Sequence, residues 1–429
     1  MSLVASVIQS TEHVPSGIEG DDADTSWCLK AGAALLASGL RQGARGIPFK
    51  HAELVTRLVS AFYRQAPRLS ESTSFEESYR SSPFFAAQGT ARGMTVELVV
   101  LVLFWLSKDD SSPIGQAPRA ALERLPALRT ILEAELADDT PTGRIPRAVV
   151  GRYLNWLFFF DEAWFRRHIT EILPASDLSL RDAGWISHLA NDSGPIKDLA
   201  ADMRDCYVAE INRLSADDGP DDRTHVEERL AHYLVVLYIW SALPDEVFQL
   251  FWDTAPASAR KSAMWFLGTQ LGQPPDQFPE PFRARAYSYW DRRLAAAKAS
   301  SNPDYFREEI GTIGQFFLNG KIDGPWLMNQ VLAMAAIGFA PSEPYSVLRH
   351  LAKLSAEHRI HAVEVLAALA KSPRFDRWVY MTQQAEVRLI LANGIASGSG
   401  RGRSLAAETI SYMAALGDGG YLDLLPKPE

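Results

Sequence analysis

The sequence is poor in cysteine, with only Cys28 and Cys206 among 429 residues. Two cysteines exclude the disulfide framework of small secreted domains and favour a reducing compartment, so we expect a cytoplasmic protein. The N-terminus has no basic segment and no sustained apolar run, which argues against a secretory signal. The most apolar run, Leu98–Leu106, is roughly half as long as the ~20 residues that a membrane helix requires. It predicts a buried helix.

Positive charge is also scarce, since 43 Lys and Arg stand against 52 Asp and Glu, for a formal net charge of −9. A surface for nucleic acid or for an anionic membrane needs clustered Lys and Arg, so we expect neither as a general partner. Hydrophobic residues make up 47% of the chain and charged residues 22%, as in an ordinary globular protein. The length suffices for two or three domains or for one extended repeat array.

Alternating strand patterns bounded by Asn-Gly or Asp-Gly hairpin signals are missing, whereas helical spacing recurs almost everywhere. Within 225–242, Val226, Leu230, Leu234 and Leu237 follow steps of three and four, which places them on one face of a helix. The chain therefore predicts an all-α fold.

Prolines stand where helices are expected to begin, because a missing N–H costs nothing in the first helical turn. Pro281, Pro303 and Pro325 are 22 residues apart, about one helix and one corner per step. Two steps make ~44 residues, within the range of HEAT-like repeats. We therefore predict an α-solenoid of HEAT-like antiparallel helix pairs, with an irregular α-bundle as the alternative. Pro244 and Pro256 are placed in the same way.

Polar breaks divide the chain, and the best internal boundary is 215–224, which is acidic, contains Gly-Pro and has no apolar anchor. We predict a flexible tail at 1–25, an N-terminal helical segment at 26–214 and a C-terminal helical-repeat segment at 215–429.

The glycine-bracketed turn around Lys321 raises the question of a phosphate-binding loop. Such a loop needs a preceding strand and a Gly-Lys-Ser/Thr ending, but Lys321 is followed by Ile322. A helix corner explains the same residues, with Asn319-Gly320 stopping one helix and Asp323 capping the next. We expect a corner.

One helix face carries His225, Glu228 and His232, at i, i+3 and i+7. This is a weak candidate for a divalent transition-metal site, because the spacing is not the His-Glu-x-x-His pattern and a solvated helix edge explains it equally. A similar but weaker line is formed by His358, His361 and Glu364.

Three acidic doublets suggest, at first sight, magnesium clusters of the kind that helical prenyl-transferring enzymes use. Those clusters must project from helix faces into a shared cavity, whereas these doublets fall in linkers that contain Pro or Gly. We expect solvated loops at Asp138-Asp139, Asp217-Asp218 and Asp221-Asp222.

The stretch 155–173 is unusually dense in aromatic residues around two acids and two arginines. One interpretation is a core helix whose charges point outward, with Glu162 and Arg166 as an i,i+4 pair. The other is an interface with another chain, because the crowding exceeds what one amphipathic face buries. The candidate interface residues are Trp156, Phe160, Trp164, Arg166 and Arg167.

A small Gly/Ser loop at 396–405 carries Arg401 and Arg403, a weak signal for phosphate. The sequence contains no nucleophile elbow, no catalytic Cys/His pairing and no dinucleotide fingerprint. We therefore assign no catalytic residue, no cofactor and no firm metal site.

From about residue 183 onward the order of phrases resembles a known family. The phrases are "GWISHLANDSGPIKDLAADMRDCYVAEI" (184–211), "LAHYLVVLYIWSAL" (230–243), "FWDTAPASARKSAMWFLGTQL" (251–271), "YWDRRLAAA" (289–297), "EEIGTIGQFFLNGKIDGPWLMNQVL" (308–332), "HAVEVLAALAKS" (361–372) and "EVRLILANGIASG…AAETISYMAALGDGGYLDLL" (386–425). Their succession resembles the C-terminal helical-repeat region of large bacterial STAND or NACHT-like NTPases, found in antiviral and conflict systems. The motifs are packing motifs.

The resemblance implies a sensor or scaffold in which the repeat array receives a trigger while a separate NTPase switches an effector. This sequence lacks the NTPase motifs, so the resemblance implies a repeat part that acts beside a separately encoded NTPase or effector. We expect a non-catalytic scaffold that recognises a protein partner, with self-association open. The alternative is an all-α enzyme that binds an apolar diphosphate or similar substrate in a pocket lined by Trp156, Phe160 and Trp164.

Overall fold

The computed structural model describes residues 23–66, 79–80, 82–109, 119–190, 194–214, 224–318 and 321–425, and for 23–26, 224 and 225 the backbone alone. Every regular element among these residues is helical, which confirms the predicted all-α fold. Within the same ranges, no helix combines the length and the apolar character that crossing a membrane demands. The predicted tail at 1–25 and the predicted break at 215–224 lie largely outside the described ranges.

The chain divides into two compact units, which are described separately. Unit 1 comprises Met1–Glu210 and Asp218–Arg229, and unit 2 comprises Ile211–Asp217 and Leu230–Glu429.

The helices assigned to unit 1 follow one another with short connections. They are α1 (Ala23–Arg41), α2 (Ala52–Gln65), α3 (Pro83–Gln88), α4 (Ala91–Leu106), α5 (Ala121–Arg124), α6 (Pro126–Leu136), α7 (Arg144–Arg152), α8 (Leu154–Phe160), α9 (Glu162–Ile172), α10 (Leu178–Leu189) and α11 (Arg204–Leu214), whose end passes into unit 2.

The centre of unit 1 is α4, which packs against α1, α2, α3, α6 and α7. It contains Leu98–Leu106 and is buried along almost its whole length, as the sequence predicts for this run. Since both faces are covered, its apolar residues show no polar side.

The closest helix crossing in unit 1 joins α7 and α10. A Cβ atom added to Gly151 would lie 2.1 Å from the carbonyl oxygen of Gly184. Glycine is needed here because the two backbones touch.

The helices of unit 2 begin within α12 (Thr224–Ile239). They continue with α13 (Asp245–Thr254), α14 (Ala257–Leu271), α15 (Glu280–Ala299), α16 (Arg307–Gly311), α17 (Ile313–Phe316), α18 (Gly324–Ala335), α19 (Pro344–Leu354), α20 (Arg359–Lys371), α21 (Arg377–Thr382), α22 (Gln384–Ile395) and α23 (Gly400–Ala415).

These helices stack in two rows. In the first row α14 packs on α16 and α17, α17 on α19, and α19 on α22; in the second α18 packs on α20 and α20 on α23. Ring contacts extend both rows towards the N-terminus, since His232 of α12 stacks on Phe266 of α14 at 4.5 Å. Likewise, Trp252 of α13 donates to the Tyr289 hydroxyl of α15 at 2.9 Å.

Each helix of the first row also pairs with the following helix of the second. We number the pairs α12/α13, α14/α15, α16–α17/α18, α19/α20 and α22/α23 as pairs 1 to 5. Their second-row helices begin at Asp245, Glu280, Gly324, Arg359 and Gly400, so successive pairs are 35 to 44 residues apart.

The predicted helix starts at proline are confirmed. Pro244 and Pro256 directly precede α13 and α14, and Pro281 and Pro325 are the second residues of α15 and α18. Pro303 opens a 3-10 turn that leads into α16. The step from Pro281 to Pro325 thus corresponds to one helix pair.

Candidate functional site

The aromatic stretch 155–173 forms two helices, α8 and α9, rather than one. The break is Asp161, whose Oδ1 accepts a hydrogen bond from the Trp164 N–H at 2.9 Å and so caps α9. Asp161 is 1% exposed, so the expectation that the charges of this stretch point outward is wrong at this position. The predicted pair of Glu162 with Arg166 is present at 3.0 Å.

The five candidate interface residues are not on one surface. Phe160 and Trp164 are buried inside unit 1, whereas Trp156 is 42% exposed. Arg166 bonds Asp202 as well as Glu162, and Arg167 donates to the Ala163 carbonyl oxygen at 3.2 Å. An aromatic-lined pocket therefore does not form from Trp156, Phe160 and Trp164.

Trp156 instead belongs to a chain of rings on α3, α4, α7 and α8. The ring centroids of Phe85 and Phe84 are 5.7 Å apart, and Phe84 lies 6.0 Å from Tyr153. The chain continues through Phe104 to Trp156, with steps of 6.2 and 4.7 Å, and then to Phe159 at 6.2 Å. We call these six residues the aromatic ridge.

The ridge is exposed at both ends, with Phe85 at 70% and Phe159 at 46%. Its middle is fixed by Glu97, which accepts from the Tyr153 hydroxyl at 2.6 Å, from Gln88 at 2.8 Å and from Arg41 at 2.9 Å. Burial, together with the bond to Glu97, raises the pKa of Tyr153 well above its ordinary value, so Tyr153 is a neutral donor. The ridge presents large apolar rings on a fixed base.

Unit 2 carries a basic cleft of about 260 Å³ between α19 and the end of α17. Its polar lining is Ser346, Arg349, His350 and Lys353, spaced so that α19 presents them on one face. Burial and the charge of Lys353 lower the pKa of His350. Arg349 and Lys353 form no ion pair with a residue that the structure describes. The sequence analysis missed this cleft, although the i, i+3, i+4, i+7 spacing was readable.

The corner around Lys321 follows the predicted helix-capping role. Asp323 caps α18 by accepting from the Trp326 N–H at 2.8 Å, and Ile322 is buried. The helix stop expected at Asn319-Gly320 lies outside the described residues. Nothing in the described part of this corner is arranged as a strand–loop–helix phosphate cradle.

Arg401 lines a second cleft, of about 480 Å³, between α20 and α23. It is ion-paired to Glu364, and Lys371 and Glu408 line the same cleft, so its charges compensate one another. Arg403 is exposed. The phosphate signal of this loop therefore reduces to one neutralised arginine and one solvated arginine.

The weak metal candidates are distributed as follows. The His225 side chain lies outside the described part of the chain, and Glu228 is exposed. His232 stacks on Phe266 and bonds the Ser262 hydroxyl at 3.0 Å. Among the described residues, no group of three or more His, Cys, Asp or Glu is placed to hold a metal ion.

The expectation of a solvated loop is wrong at Asp138, which is buried and bonds Arg92 at 2.8 Å. Burial alone would raise the pKa of Asp138, but hydrogen bonds from Thr140 and Arg92 hold it well below its usual range. The signal was an Asp followed by Thr at two and four residues, typical of an Asx turn. Asp139 is exposed as expected, and the doublets at 217–218 and 221–222 lie outside the described residues.

Buried carboxylates are matched to arginines in both units. In unit 1, Glu135 accepts from Arg92 at 2.5 Å. In unit 2, Glu309 accepts from Arg293 at 2.5 Å and from Arg260 at 3.2 Å. A carboxylate that is buried and neutralised in this way stabilises the fold and is not available as an acid or base for a substrate.

Comparison with known proteins adds no relative to this picture. No protein-family model matches the chain, and neither a curated protein nor a solved structure matches it.

Proposed function

We propose that unit 2 is an α-solenoid of HEAT-like helix pairs and that the chain is a non-catalytic scaffold that recognises a protein partner. The observation that carries the proposal is the stacking of five helix pairs in two rows at steps of 35 to 44 residues. In such arrays each pair buries its apolar face against its neighbours, which leaves long surfaces available for a partner.

The aromatic ridge supports the same function from unit 1. Phe85, Trp156 and Phe159 leave large apolar area in solvent, and aromatic side chains on a rigid base are typical anchors of protein interfaces. Charges near the ridge are engaged, as with Arg41 and Glu97, so the ridge itself offers packing rather than ion pairing.

The family resemblance places the scaffold in a bacterial defence or signalling complex of the cytoplasm, beside a separately encoded NTPase or effector. This part of the proposal has its support in the sequence phrases from residue 184 onward.

The test is affinity purification of the tagged full chain from its native host, with wild type compared to the double variant Trp156→Ser, Phe159→Ser. We expect a protein partner in a fixed ratio with the wild type and at least a tenfold loss with the variant, as hot-spot truncations give. Trp27→Ser, which removes an exposed tryptophan of α1, is the matched control and should retain the partner. Recovery of the wild-type chain alone, or equal loss in the control, would refute the proposal.

A further inference from the structure

A partly enclosed pocket of about 260 Å³ lies between α20, α21 and the end of α23. We call it the terminal pocket. Its apolar lining includes Ala370, Met413 and Leu416, and its polar lining includes Arg377, Tyr380 and Asp418. Ligand sites of proteins combine these features, an apolar wall and a few converging polar groups.

Two of the polar groups are held in place by the backbone around them. The Tyr421 hydroxyl donates to the Tyr380 carbonyl oxygen at 3.1 Å, which fixes the turn that carries Tyr380. Gly417 adopts a φ of +97°, and the Asp418 N–H then donates to the Met413 carbonyl oxygen at 3.0 Å. The chain thereby returns Asp418 to the pocket wall.

The side-chain atoms of the same two residues are left without protein partners. Tyr380 is 3% exposed, and its hydroxyl has no hydrogen-bond partner among the described residues; the same holds for Oδ2 of Asp418. Buried polar atoms are nearly always hydrogen-bonded, because desolvating them without a partner is costly. Two such atoms at one pocket indicate a site that a ligand completes.

The charges of the pocket are also uncompensated. Arg377 is exposed at the rim and, within the described part of the chain, neither it nor Asp418 forms an ion pair. One cation and one anion on opposite elements, α21 and the segment after α23, suit a ligand that carries both charges. The apolar lining suits an uncharged side chain on that ligand.

We propose that the terminal pocket binds a small zwitterion of the α-amino-acid class with an apolar side chain. Its ammonium group lies against Asp418, its carboxylate against Arg377 and the Tyr380 hydroxyl, and its side chain against Met413 and Leu416. The volume is below that of sites for drug-sized ligands, which are about 300–1,000 Å³, and above the ~150 Å³ cavity that holds benzene. The inference goes beyond protein recognition and does not depend on it.

The test is calorimetric titration of the full chain with L-leucine and with L-phenylalanine. Each leucine titration is compared with 3-methylbutylamine, which lacks the carboxylate, and with 4-methylpentanoate, which lacks the amine. We expect the zwitterion to bind at least about tenfold more tightly than either analogue, because each analogue leaves one buried polar group unmatched.

Variants locate the site. Tyr380→Phe, Asp418→Asn and Arg377→Gln should each weaken leucine binding by about tenfold, while Tyr345→Phe and Arg403→Gln, at exposed positions elsewhere in unit 2, should not. Tyr380→Phe removes only an oxygen that has no partner, so it should fold normally, which a thermal melt checks. No heat from either amino acid at about 10 mM, where a millimolar site is mostly filled, would overturn the proposal, as would equal binding by an analogue or by all three variants.

Discussion

At the scale of single residues, the positions that matter most for stability are buried charges, and Glu309 is the clearest of them. It is the common acceptor of Arg260 and Arg293. Burial alone would lower the pKa of Arg293, but the bond and the charge of Glu309 raise it. The cluster therefore stays charged and depends on all three members.

Glu309→Gln should lower the free energy of unfolding by about 3–5 kcal/mol, because it leaves two buried guanidinium groups without a counter-charge. Urea denaturation followed by circular dichroism measures this. The matched control is Glu308→Gln, the exposed neighbour on the same turn, which should change stability by less than about 0.5 kcal/mol. Equal effects of the two substitutions would contradict the prediction.

His188, buried in α10, should make stability depend on pH. Burial lowers its pKa to about 4 from an ordinary value of 6.5, so between these values the unfolded chain binds more protons than the folded one. Stability is then complete above pH 6.5 and falls as the pH drops towards 4. From pH 7 to pH 5 the loss should be about 2 kcal/mol.

His188→Gln should remove this part of the pH dependence, whereas His51→Gln, at a partly exposed position, should keep it. The Asp138 carboxyl acts in a lower window. Since its pKa is depressed, its contribution is lost only below the ordinary value of 3.8. A nuclear magnetic resonance titration in which His188 changes charge near 6.5 would disprove the assignment.

Sequence reasoning at the residue scale failed where a polar side chain is buried. Asp138 and Asp161 look like loop or surface residues because their neighbours are polar or because helix periodicity points them outward. Their burial depends on long-range partners such as Arg92, 46 residues away, and on the break of 155–173 into two helices. Local spacing does not contain either fact.

At the scale of elements, the sequence was more informative. Helix starts at proline and the cap at Asp323 follow from local rules about N–H groups and were predicted. The buried character of Leu98–Leu106 follows from composition alone. The aromatic ridge was predicted in part, since Trp156 was named, but its continuation to Phe85 requires the packing of α3 against α4 and α7.

The crossing of α7 and α10 tests how tightly elements fit. Gly151→Ala places a Cβ atom 2.1 Å from the Gly184 carbonyl oxygen, so the helices must separate, and stability should fall by about 1–3 kcal/mol. Gly400→Ala is the control, because a Cβ atom at Gly400 meets nothing within 4 Å. Thermal melts of the two variants should differ, and a neutral Gly151→Ala would mean that the backbones are not in contact.

At the scale of the whole molecule, unit 2 should behave as a chain of semi-independent pairs. Ending the chain after Lys371 removes pair 5, whose main contacts are with pair 4. Hydrogen exchange in α13, α14 and α15 should then remain slow, because arrays of this kind derive their stability from nearest neighbours. Loss of protection throughout unit 2 would show instead a single cooperative bundle, the alternative that the sequence left open.

The joint between pairs 2 and 3 differs from the other joints of the array. Two arginines on α14 and α15 and one carboxylate on α16 meet there in the interior. Bending at this joint would pull opposite charges apart where little solvent is available to replace the lost attraction. The curvature of unit 2 is therefore fixed at this step, and any flexing that accompanies contact with a partner must take place at joints closed chiefly by apolar side chains, such as that between α18 and α20.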